Sequence, residues 1–116
     1  MAAYFRTTTP QALLNKFDAA IHQTQVAGKV TTWEKNHQGY YTHRAADWRA
    51  KAFFKATVSA GVLVFNIIRP SGKTVTKVAY GYYHGHLIET FLNHFDDLFS
   101  GAEATAHVAV GDVVAA

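Results

Sequence analysis

Along the first third of the chain, apolar side chains recur at helical spacing, with Leu13, Leu14, Phe17, Ala20 and Ile21 falling on one stripe after Thr9-Pro10. Such a stripe is the face a surface helix turns toward a core. Thr9 suits the N-cap and Pro10 the first helical position, where a missing N–H removes no hydrogen bond, so a helix is expected to begin there. Gly28 is its expected left-handed stop. A second stripe is formed by Leu87, Ile88, Phe91, Leu92, Phe95, Leu98 and Phe99, opposed by Glu89, Asn93, Asp96 and Asp97, and Gly101 is expected to close that helix.

Between the helices lie segments rich in β-branched and aromatic residues, separated by turn signals at Asn36 to Gly39, Ser59 to Gly61 and Arg69 to Gly72. They read as an antiparallel meander. Ala3 to Thr7 is short and aromatic enough for a strand before the first helix, and Thr105 to Val110 alternates weakly as a last one. The expected fold class is α+β, an antiparallel β-meander with two helices packed on one face, formed by residues 1–116 as a single domain.

If both central loops are hairpins with a bulge, Val58 faces Val62 and Ile68 faces Thr74. One sheet face then collects Ala52, Phe54, Ala56, Val58, Val62, Val64, Asn66, Ile68, Thr74, Thr76, Val78 and Tyr80, and the helices are expected to cover it. The other face carries Lys51, Phe53, Lys55, Thr57, Leu63, Phe65, Ile67, Val75, Lys77 and Ala79, an apolar strip edged by lysines. Contiguous apolar patches left in water usually mark contacts. That strip is therefore the expected interaction face, used for a homodimer or a protein partner.

Composition excludes several function classes. The chain has no cysteine, which removes disulfides, thiolate catalysis and thiolate metal sites. The longest uninterrupted apolar run, Gly61 to Phe65, falls far short of the ~20 residues a membrane helix needs. The first ten residues reach polar positions too soon for the apolar core of a signal peptide, so the expected location is the cytoplasm, away from the membrane. A net charge of +3 is compatible with weak attraction to polyanions.

The densest local chemistry is Tyr80-Gly81-Tyr82-Tyr83-His84-Gly85-His86, read as the junction between a strand and the second helix. Backbone N–H groups at a helix start attract anions, and Tyr80, Tyr82, Tyr83, His84 and His86 add donors around them. Glu89 would complete a set of imidazole and carboxylate donors. No fourth ligand or metal-specific spacing accompanies it, and neither metal nor cofactor is expected. The remaining histidines are scattered, and the three serines, Ser59, Ser71 and Ser100, sit in turns or at a helix end. Ser71-Gly72-Lys73-Thr74 ends like a phosphate-binding loop but lies in an expected hairpin, so no catalytic arrangement emerges.

The stretch Lys51-Ala-Phe-Phe-Lys-Ala-Thr-Val58 resembles the basic, aromatic strand of RNA-recognition domains, whose sheet aromatics stack on bases. The resemblance covers one strand, and three consecutive strands between the helices depart from that family's βαββαβ order. It implies single-stranded nucleic acid as an alternative occupant of the lysine-edged face. A small-molecule or anion site at Tyr80 to His86, as a binding protein or as an enzyme, is the third reading, after protein association and nucleic acid.

Overall fold

Thr76 begins a helix that the sequence places ten residues later: its side chain accepts from the Ala79 N–H at 3.1 Å, and the chain is helical over Lys77–Phe95. The computed structural model describes residues 1–115. Among them the order is β1 (Ala2–Arg6), α1 (Pro10–His22), β2 (Trp33–Lys35), β3 (Tyr41–His43), β4 (Phe53–Ser59), β5 (Val62–Ile68), α2 (Lys77–Phe95) and β6 (Gly101–Ala104). All six strands form one antiparallel sheet in the order β2-β3-β4-β5-β1-β6. The expected α+β class is thus observed, with the meander running from β2 to β5 and β1 inserted beyond it.

Helix α1 starts at Pro10 as expected and buries Leu13, Phe17, Ala20 and Ile21. It ends at His22, well before Gly28. There the Lys29 ammonium donates to the carbonyls of Ile21 at 3.0 Å and Gln23 at 2.6 Å, meeting the unpaired acceptors that a helix end leaves.

The register of the central hairpin differs from the expected one by a single residue. β4 and β5 are joined through Ala60 and Gly61 alone, so Ser59 pairs with Val62 and Val58 with Leu63. Gly61 supplies the one positive φ, +75°, that this link needs. Because successive strand residues point to opposite faces, a one-residue slip moves a whole strand's side chains across the sheet. Leu63, Phe65 and Ile67 consequently face inward beside Phe54 and are fully buried. They are core residues, not members of an exposed interaction face.

The third expected strand does not form. After Ile68 the chain turns at Pro70, whose carbonyl accepts from the Lys73 N–H, and then enters α2. Val75 is buried in this connection, Lys77 is the exposed first residue of α2, and Lys51 is exposed in the loop before β4. Of the ten residues expected on one face, only Phe53, Lys55 and Thr57 lie together on the open side of the sheet. β6 likewise comes earlier than the expected last strand, pairing Gly101 with Arg6 and Ala104 with Ala3.

Both helices pack on the inner face, and Phe65 marks where they meet. Its ring lies 5.9 Å from Phe17 of α1, 5.6 Å from Phe91 of α2, 5.7 Å from Phe5, 5.9 Å from Tyr41 and 6.0 Å from Phe54. Most of these rings meet edge to face, the arrangement that aromatic quadrupoles favour. Phe5 and Phe91 stack at 4.2 Å.

This packing sets the expected response to substitution. Phe65→Ala should cost about 3 to 5 kcal/mol in chemical denaturation, since a fully buried ring leaves a cavity among its aromatic neighbours; a near-neutral effect would contradict its central position. Gly81 and Gly85 lie inside α2, exposed, and apart from the helix's own backbone nothing stands within 4 Å of the place a Cβ would take on either. Gly81→Ala and Gly85→Ala should each raise stability by about 1 kcal/mol, the helix-interior difference between the two residues; a loss in either would show that the glycine is needed there.

Candidate functional site

The side of the sheet away from the helices carries the outward residues of four strands. Phe53, Lys55, Thr57 and Ser59 of β4 lie beside Ile68, Asn66, Val64 and Val62 of β5, followed by Tyr4 and Arg6 of β1 and Glu103 of β6. Tyr4, Phe53, Val62, Val64 and Ile68 are each partly exposed. Lys55 stands on one flank, and an exposed Arg6–Glu103 ion pair stands toward the other.

The C-terminal residues divide this surface in two. Where β1 runs out, residues 112–114 take its place along β5: the Val113 N–H donates to Ile67 O at 2.9 Å and the Arg69 N–H to Val113 O at 2.7 Å. Just before, the chain crosses over Asn66, whose Nδ2 donates to Val110 O at 3.0 Å and Asp112 Oδ1 at 2.8 Å. The crossing residue has to be Gly111, because its φ is +97° and a Cβ there would stand 2.9 Å from Asn66. Asn66, placed on the helix-covered face by the expected register, is instead buried beneath this loop. To one side remains a flat strip of Tyr4, Val62, Val64, Thr57 and Arg6; to the other, a cleft floored by Phe53 and Ile68.

The tyrosine and histidine run is helical, so its members point in different directions. His84 is buried, with Nδ1 against Tyr80 O at 2.7 Å and Nε2 against Met1 O at 2.8 Å. Tyr80 donates to Thr105 O at 2.6 Å, while Tyr83, fully buried, donates to the Trp48 carbonyl and meets Thr42 Oγ1 at 3.1 Å. On another side of α2, Tyr82 is sandwiched between Trp48, stacked at 3.8 Å, and His86, stacked at 3.9 Å. Two residues apart on a helix is about 200° of rotation, which separates His84 from His86, and Glu89 is exposed. Among the described residues no group of three histidines or carboxylates is placed to hold a metal ion. The expected anion site at a helix start is also lost, because the helix starts at Lys77, and the six residues are not brought to one place.

One histidine the sequence did not single out is better placed. His43 is 3% exposed and pairs across strands with Trp33. The Ala45 N–H donates to its Nδ1 at 3.1 Å, so the ring proton sits on Nε2, a buried atom with no hydrogen-bond partner. The ring lies 5.1 Å from Tyr82 and 5.3 Å from both His86 and Trp33. With Nδ1 occupied as an acceptor, the neutral ring keeps its proton on Nε2, which faces no acceptor. The only signal in the sequence was its alternation with Tyr41, which marks an inward position.

No protein-family model, curated protein or solved structure matches this chain.

Burial lowers the pKa of His43, and the neighbouring His86 lowers it further. Burial also lowers that of His84, outweighing the hydrogen bonds to Tyr80 and Met1 that favour its charged form. In the unfolded chain both return toward 6.5 and bind protons that the folded chain refuses. Stability should therefore fall on acidification from neutrality, by up to about 1.4 kcal/mol per pH unit for each histidine between its ordinary and its folded value. Urea denaturation across that range should show a shallower slope for His43→Gln than for wild type; equal slopes would mean that His43 is free to ionise in place.

Proposed function

We propose that this protein acts by association, and that the flat strip on the open sheet face receives a second copy of the same chain. The carrying observation is the partly exposed row of Val62, Val64 and Tyr4 lying between Lys55 and the Arg6–Glu103 ion pair. Isolated exposed apolar residues are ordinary, but a contiguous row on a regular sheet is the usual mark of a contact.

The charge pattern supports self-pairing. Lys55 lies on β4 and Glu103 on β6, with β5 and β1 between them. A two-fold axis along the central strands exchanges the flanks, so each Lys55 approaches Glu103 of the second copy while the apolar rows meet in the middle. This is the self-complementarity an isologous dimer requires.

From strand spacing and rise, the strip covers about 20 Å by 12 Å, below the size of standard interfaces and in the range of weak, transient contacts. Association is accordingly expected to be weak, with dissociation on dilution. Single-stranded nucleic acid is the competing occupant, since Tyr4, Arg6 and Lys55 would offer a stacking ring and cations on the same strip.

Sedimentation equilibrium decides between them. Wild type should be dimeric at high concentration, and Val64→Glu should give folded monomers with unchanged helical circular dichroism, because burying a carboxylate in each copy is strongly unfavourable. A wild type that stays monomeric at about 1 mM would overturn self-association, and salt-dependent binding of a short oligothymidylate would then favour nucleic acid.

A further inference from the structure

Beyond the Asn66 crossing lies the second uncovered part of the sheet, a cleft of ≈ 460 Å³. Its floor is the cross-strand pair Phe53 and Ile68. One wall is the β2–β3 hairpin tip, with His37 and Tyr40, folded tightly because Asn36 Oδ1 accepts from the N–H groups of Gln38 and Tyr40, both at 2.9 Å. The opposite wall is Arg69 and Val113, tied together through the main chain.

The charge in this cleft is unbalanced. Among the described residues of its lining, Arg69 is the only formal cation and none is a carboxylate. Among the described residues Arg69 forms no ion pair. Its Nη1 reaches only Pro70 O, at a long 3.4 Å, and its Nε is shielded from water without any hydrogen-bond partner. Among the described residues, the Asp112 carboxylate beside β5 is turned away to Asn66 and the chain's amino group. Arg69 is half-buried and its guanidinium has one shielded, unpaired Nε, and a carboxylate is the group whose two oxygens match its fork of donors.

We propose that the cleft between the β2–β3 hairpin and Arg69 binds a small organic carboxylate with an aromatic or branched apolar body. The carboxylate pairs with Arg69, and the apolar body lies on Phe53 and Ile68 beside Tyr40. Inorganic phosphate fits less well, because it would leave that floor in contact with water and find a single cation. The volume lies within the usual range for small-molecule sites, and the mixture of apolar floor and few convergent polar groups is their usual composition. The site stands on its own geometry and does not depend on dimer formation.

The test is a titration of the full chain followed by amide chemical shifts, with phenylacetate as probe and phenylacetamide as its uncharged counterpart. Phenylacetate should bind saturably, shifting Phe53, Ile68 and Arg69, and phenylacetamide should bind at least about tenfold more weakly, as expected for loss of a charge-assisted pair. Arg69→Gln should reduce phenylacetate binding by a similar factor. The amide comparison holds on wild type alone should that variant not fold. Equal binding of acid and amide, no saturation by about 10 mM, or shifts centred on another surface would each overturn the site. Sedimentation in the same buffer reports self-association separately, so failure of one reading leaves the other intact.

Discussion

The structure depends on one sheet face being sealed by two helices, and Phe65 is where that seal closes. It is the inward residue at the middle of β5, with rings from α1, α2, β1, β3 and β4 around it. A small domain has little apolar area to spare, so elements distant in sequence must share one cluster. Once Phe65 points inward, alternation sends Leu63 and Ile67 inward and Val62, Val64, Asn66 and Ile68 outward. The open surface is thus a by-product of how the core was closed.

What becomes of that surface is settled by the C-terminal residues. Asn66 and Asp112 hold them in place, and Gly111 permits the close crossing between the two. Asp112 also receives Ala109 N–H at 2.7 Å, so its buried carboxylate is well supplied with donors. The crossing covers only the polar centre of the sheet, and it leaves apolar side chains on both sides of itself. A strip suited to a flat partner and a cleft suited to a small molecule are consequences of the same arrangement.

Helix α2 shows how a run rich in chemistry can be used mainly for packing. Tyr83 and His84 spend their polar atoms on backbone carbonyls and Thr42, and Tyr82 spends its ring in a stack between Trp48 and His86. Buried polar groups need such partners, and aromatic residues with a polar tip supply both packing and satisfaction. His43 is the exception, with a protonated nitrogen enclosed by rings and no acceptor. It is the least satisfied point of the core.

The sequence by itself determined the fold class, helix α1 with its buried Leu13, Phe17, Ala20 and Ile21, and the second half of α2, because a 3.6-residue apolar period admits one reading. It also marked β4, β5 and the tight turns around Gly39 and Gly61. It did not determine which way β5 faces: Val62, Leu63, Val64, Phe65, Ile67 and Ile68 make both parities apolar, so alternation carries no direction. Only the neighbours decided, through Leu63 against Phe5, Phe65 against Ala3, and Phe65 between two helices. The start of α2 was hidden for a related reason, since Gly81, Gly85 and the aromatic and imidazole side chains around them weaken local helix preference, and burial of Ala79, Tyr83 and His84 outweighs it. The open strip and the Arg69 cleft join residues from opposite ends of the chain, and no local pattern encodes that meeting.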